Sequence, residues 1–106
     1  MRRRATPAAP PPDETREEAQ LRRAWRHRRK GDERRAMVML REIALENEHD
    51  ARLWAMYGVQ CARIGRLDDA RRALQHAAWV RDRNGEPAKA NVTRALIAEL
   101  VDNEAA

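Results

Sequence analysis

Residues 54–78 read WAMYGVQCARIGRLDDARRALQHAA, and the fold turns on what this stretch shares with the chain before it. Gly65, Ala70, Leu74 and Ala78 stand 34 residues after Gly31, Ala36, Leu40 and Ala44, so four small or apolar positions return at one offset. A fixed period of this length marks stacked helical hairpins, each with an apolar face that only the next hairpin can cover. Within the stretch, Trp54, Tyr57, Gly58 and Cys61 share one helical face and Ala70, Leu74, Ala77 and Ala78 share another. Gly65 marks the turn between the two.

Start and stop signals divide the chain into five helices. Thr15-x-x-Glu18 has the form of a capping box, with Glu17 and Glu18 at the positive end of the first helix dipole, and that helix should end near Lys30-Gly31. Asp32 can cap the second helix, in which Ala36, Leu40, Ile43 and Ala44 fall on one face. Asn47 to His49 turns the chain and Asp50 caps the third helix. Asp68 and Asp69 open the fourth, Asn84-Gly85 closes it, and Pro87 starts the fifth. No segment alternates with the period of a strand.

At these residues the chain resembles the tetratricopeptide repeat family, whose signature runs Trp, two residues, Leu-Gly, two residues, Tyr, and later Ala, three residues, Phe, then Pro. Trp54-x-x-Tyr57-Gly58-x-x-Cys61, then Gly65 to Ala70, Leu74 and Ala77, carry the second unit, roughly residues 50–83. The upstream unit keeps Ala24, Gly31, Ala36, Leu40 and Ile43 but has Gln20, Arg23 and His27 where the family has Trp, Leu and Tyr. A third unit starts at Pro87 and stops after one helix. The resemblance implies an all-α fold of about two and a half hairpins in a short right-handed solenoid. It also implies a structural core of Ala24, Ala36, Leu40, Ile43, Trp54, Tyr57, Gly58, Cys61, Ala70, Leu74 and Ala77.

Composition limits what such a fold can be. With 106 residues, 42% hydrophobic and 37% charged, the chain suits one small domain with a thin core. Its net charge of +5 favours acidic partners, whether peptide, nucleic acid or lipid. Arg far outnumbers Lys and Ser is absent, a bias that fits a GC-rich bacterial genome and carries no functional weight. Residues 1–12 read as a flexible Arg/Pro-rich tail, 13–103 as the helical domain and 104–106 as a short C-terminal tail. No apolar run follows Arg2, Arg3 and Arg4, and no window is long and apolar enough to span a membrane, so a cytoplasmic protein is expected. Cys61, the only cysteine, sits on an apolar helix face as a packed thiol.

Catalytic and metal chemistry find no foothold. There is no serine, Thr6 and Thr93 have no histidine at helical spacing, and His27, His49 and His76 fall on separate elements without ligand spacing. The four glycines form no phosphate-cradling motif. No enzyme, cofactor or metal is therefore expected.

The strongest functional signal lies between Arg22 and Arg35, where Arg22, Arg23, Arg26, Arg28, Arg29, Lys30, Arg34 and Arg35 crowd around Trp25. In tetratricopeptide proteins the first helices of successive units line a concave groove. Carried onto this register, that face comprises Leu21, Trp25, Arg28 and Arg29 of the first helix, and Arg52, Ala55, Val59, Ala62 and Arg63 of the third. Lys89 and Thr93 of the fifth complete it. Such a groove is basic with an apolar floor and suits a peptide or helix carrying carboxylates, held by Arg forks while an apolar residue covers Trp25. Leu21 and Trp25 occupy places of the Lys/Asn clamp by which some family members hold acidic tails, so that ligand is not implied. The resulting expectation is a non-catalytic adaptor or small chaperone-like binder. The alternative is a nucleic-acid binder in which the basic patch tracks phosphates and Trp25 stacks on a base. Glu17, Glu18, Asp32 and Glu33 interrupt the patch and weaken that alternative.

Leu96, Ile97, Leu100 and Val101 spread around more than one face of the fifth helix, so a homodimer or a partner's helix is expected to cover the surplus. Trp54 reads as core, whereas Trp79 fits either a hairpin seal or an exposed site.

Overall fold

Helix boundaries follow from local side-chain chemistry. The computed structural model describes residues 13–105, with side chains through Asp102, so the tail expected over residues 1–12 lies outside the described residues. Five helices follow one another: α1 (Arg16–Arg29), α2 (Glu33–Glu46), α3 (Ala51–Arg63), α4 (Leu67–Arg83) and α5 (Pro87–Ala105). No strand occurs among the described residues. At the start of α1 the Thr15 hydroxyl accepts the Glu18 N–H at 3.1 Å and the Glu18 carboxylate accepts the Thr15 N–H at 3.4 Å, a complete capping box. Asp32 and Asp50 cap α2 and α3 by accepting the N–H of Arg35 and of Leu53. α4 is different: Arg66 stands at its N-cap with no side-chain bond to the backbone and instead sends its guanidinium to Asp69, 2.8 Å away. Asp68 and Asp69 thus open α4 by their charge in its first turn.

The ends of α1 and α3 are the same structure 34 residues apart. Asp32 N–H bonds the His27 carbonyl and Gly31 N–H the Arg28 carbonyl; Arg66 N–H bonds Cys61 and Gly65 N–H bonds Ala62 in the same pattern. Gly31 and Gly65 have φ of 88° and 80°, the left-handed conformation this cap requires and side chains resist. The same cap closes α4 at Gly85, 20 residues after Gly65, because α4 alone lies between these two glycines whereas both α2 and α3 lie between Gly31 and Gly65. α5 has no breaker before its end and runs to Ala105, past the boundary expected at residue 103.

Each helix packs chiefly on its neighbours in sequence, most extensively α3 on α4. Leu21, Ala24, Leu40, Ile43, Ala44 and Leu53 form the core of α1 to α3, flanked by Trp25, Trp54 and Tyr57. Met37, Cys61 and Ala70 join α2 to α4, and Ala51, Ala77 and Val80 join α3 to α4. Small side chains permit this closeness: Ala24, Ala36, Ala70 and Ala77 have no exposed surface. The tightest approach is at Gly58, where a Cβ would stand 2.9 Å from Leu74 Cγ. Trp54 packs against two of these clusters but is only half-buried, because its indole N–H reaches the Glu48 carbonyl at the surface, 3.1 Å away.

Tyr57, the only tyrosine, lies beside Cys61. Burial, and then a hydrogen bond with the Cys61 side chain, push its phenol up to about 12, while burial also pushes the Cys61 thiol up. The unfolded phenol ionises near 10. Between about 10 and about 12 the native chain therefore holds a proton that the unfolded chain has lost. The stability from this group is fully present below pH 10 and is lost as pH rises through 12. Phenolate absorbance is expected to titrate near 12 in the folded protein, and Tyr57→Phe to flatten the alkaline fall in melting temperature. A folded-state midpoint near 10 would show a solvated ring.

Candidate functional site

The basic run from Arg22 to Arg35 is contiguous in sequence but not on the surface, because successive helical residues turn by about 100°. Arg22 is taken up by Glu14 in a two-point ion pair, with Nε at 2.9 Å and Nη2 at 3.2 Å. Arg23, His27, Arg34 and Arg35 line an outer cleft of about 620 Å³ between α1 and α2, together with Asp32, Val38, Met39 and Glu42. Trp25, Arg28 and Arg29 face the other way. They meet Arg63 of α3 around a pocket of about 420 Å³.

This pocket is the site with the most directed chemistry. The Arg28 guanidinium lies 5.4 Å from the centre of the Trp25 ring, within cation–π range. Arg63 donates from Nε and Nη2 to Glu33 Oε1, at 2.9 and 2.5 Å, and Arg28 Nε stands 3.9 Å from the same oxygen. Arg29 makes no ion pair among the described residues. Three guanidinium groups against one carboxylate leave the pocket with a surplus of positive charge. Beside it, Val59, Ala62, Leu74, Leu96, Glu99 and Leu100 line a smaller cleft of about 180 Å³ between α3 and α5. Val59 and Arg63 stand four residues apart on one face of α3, so the basic pocket and the mainly apolar cleft open on successive turns of that helix.

The rest of the expected groove does not join them. Leu21 is part of the core, and Thr93 is fully buried, donating to the Lys89 carbonyl and accepting from Arg81. The register carried over from the resemblance put both on the groove face; the approach of α2 to α1 and of α4 to α5 covers them. Ala55 is half-buried against Ala51, Ala77 and Val80. Arg52 pairs with Glu17 at 3.1 Å and Lys89 with Glu86 at 2.8 Å. These two cations line a polar cleft of about 660 Å³ at the opposite ends of the helices, beside Glu46, Glu48 and Asp50. On α5, Leu96, Ile97 and Leu100 are each half-buried and Val101 is exposed, as is Val92, so part of the apolar surplus is taken up within the chain.

The sequence showed Glu33 only as an acid interrupting the basic patch, without its contact to Arg63, and carried no sign of Gln60. Gln60 is buried, and its Nε2 donates to the Glu33 backbone carbonyl at 2.9 Å while its Oε1 meets no hydrogen-bond donor among the described residues. The aromatic ladder on the α3–α4 face was also not foreseeable as a unit: Trp54 meets His76 at 4.5 Å, His76 stacks on Trp79 at 5.8 Å, and Arg83 covers Trp79 at 4.9 Å. Trp54 Nε1 and His76 Nε2 both donate to the Glu48 carbonyl, which fastens the α2–α3 turn to α4. Trp79 is 49% exposed, on this ladder rather than as a seal against α5.

Among the described residues no three His, Cys, Asp or Glu side chains converge as a metal set, and no helix is long and apolar enough to cross a membrane. No family model matches the chain, and neither does a curated protein or a solved structure.

Proposed function

We propose that the chain is a non-catalytic, tetratricopeptide-like interaction module of about two and a half hairpins. In this reading it holds a partner's peptide or helix, carrying both carboxylate and apolar side chains, between α1, α3 and α5. The observation that carries the reading is the pocket of Trp25, Arg28, Arg29 and Arg63 set beside the Val59, Ala62, Leu96 and Leu100 cleft. Guanidinium groups over an aromatic floor match a carboxylate flanked by apolar side chains, and the neighbouring cleft offers the next apolar residue a place. The recurrence of one backbone cap at a 34-residue interval supports the repeat arrangement. An adaptor or small chaperone-like role in the cytoplasm, and pairing with a second copy through α5, go with the family resemblance. A phosphate-tracking surface is the weaker reading, since the basic run divides between two faces and Glu33 neutralises part of the inner one.

A fluorescently labelled amphipathic Glu/Leu peptide tests the proposal. Reversing Arg28, Arg29 and Arg63 to Glu is expected to weaken its binding by about a hundredfold or more while leaving the helical spectrum unchanged, because these positions are exposed or half-exposed. An oligonucleotide bound more tightly than the peptide at physiological salt, with affinity falling steeply as salt rises, would reverse the choice.

A further inference from the structure

Glu33 reaches into the chemistry of the Trp25 pocket from the first residue of α2. Its backbone carbonyl accepts the buried Gln60 amide, so its position against α3 is fixed. Its carboxylate then takes both Nε and Nη2 of Arg63 and stands near Arg28 Nε, the same guanidinium groups that an incoming carboxylate would use. We propose that Glu33 is a built-in competitor for this pocket, so that the site accepts a carboxylate-bearing peptide only where an apolar side chain beside the acid covers Trp25. The inference rests on the partner-binding reading of the pocket.

The selectivity follows from what exchange can gain. The Arg63–Glu33 pair is partly exposed on both sides, with side-chain exposures of 43% and 29%, so it costs little to break. A carboxylate that replaces Glu33 on Arg63 makes the bonds that Glu33 loses, and the exchange is close to neutral. The surplus has to come from elsewhere. Trp25 supplies it: the ring is half-buried, Arg28 stacks on it, and the pocket of about 420 Å³ has room for an aliphatic or aromatic side chain. Arg29, without an ion pair among the described residues, attracts the ligand but holds no fixed geometry by itself. An acid without an apolar neighbour therefore gains little, and an apolar residue without an acid leaves the guanidinium surplus uncompensated.

The 106-residue chain and its Glu33→Gln and Glu33→Asp variants provide the test. The readout is the indole N–H resonance of Trp25, assigned by Trp25→Phe, and the probes are acetyl-Leu-Glu-Leu-Glu-amide, glutarate and inorganic phosphate. In the unmodified protein the peptide is expected to shift the resonance, and glutarate and phosphate to leave it unmoved. Glu33→Gln should bind the peptide about tenfold more tightly and gain a response to glutarate, as expected when a like charge within several ångströms is removed. Glu33→Asp keeps the charge and should gain no such response, which separates charge from any disturbance of the α2 start. Peptide affinity unchanged or weakened in Glu33→Gln would make Glu33 an anchor for Arg63 and overturn the competition, leaving the partner site intact. Phosphate bound as tightly as the peptide by the unmodified protein would overturn it by showing that apolar cover is not needed. A Trp25 resonance indifferent to the peptide in all forms would remove the partner-binding reading itself.

Discussion

Replacing Gly58 by leucine is expected to abolish cooperative thermal unfolding, and replacing it by alanine to lower the midpoint. An added Cβ would lie 2.9 Å from Leu74 Cγ and 3.2 Å from the Ala70 carbonyl oxygen. The first neighbour is the branched carbon of a fully buried side chain and the second is α4 backbone, so neither can swing aside. Alanine gains about 1 kcal/mol in helix propensity over glycine, against about 1–3 kcal/mol for overpacking a close contact. The net loss, about 1 kcal/mol at the centre of that range, corresponds to a midpoint lower by roughly 4–8 °C in a domain of this size. A leucine side chain grows outward from the same Cβ into Leu74 and the Ala70 carbonyl, so α3 and α4 must part, and this is the most extensive helix contact among the described residues. Leu74→Ala removes the atom that the new Cβ strikes, so Gly58→Ala combined with Leu74→Ala should lose less stability than the two losses added. A higher midpoint for Gly58→Ala alone would mean that the two helices can separate at no cost.

What could be read from the sequence is what depends on residues close together in it. Thr15, Asp32 and Asp50 bond backbone groups three residues away, and Gly31 and Gly65 reverse the chain locally, so boundaries emerged within a residue or two. The alanine positions at the 34-residue offset are buried for the same reason that they recur: the next helix lies against them. The site was less legible. Whether Arg23 and Arg28 face one surface or two depends on where α2 and α3 cross α1, and local periodicity says only that they diverge. Glu33 meets Arg63 across 30 residues and Gln60 across 27, contacts set by how α3 packs on the start of α2. Leu21 and Thr93 were assigned to a groove by register, but register fixes a direction on the helix and not what lies opposite. Trp54 packs against two core clusters but keeps its N–H at the surface, where the Glu48 carbonyl satisfies it.

Leu40→Ala and Leu74→Ala, at positions 34 residues apart, should each cost about 2–5 kcal/mol, the range for a fully buried leucine. That is a large part of the stability of a small domain. Leu40 lies in the core of α1 to α3, whereas Leu74 also borders the cleft of about 180 Å³, so its neighbours can relax into existing space. The Leu74 loss should therefore be the smaller of the two. The arrangement of the losses tells more than their size. When each helix packs chiefly on its neighbours in sequence, stability is held in local interfaces, and a cavity at one end loosens that end first. Hydrogen exchange of Leu40→Ala should show α1 and α2 losing protection well before α4 and the first half of α5. Leu74→Ala, placed centrally, should lower protection across α3, α4 and α5 together. Equal loss in all five helices for both variants would mean one indivisible core, and the reading of the chain as a stack of hairpins would fail with it.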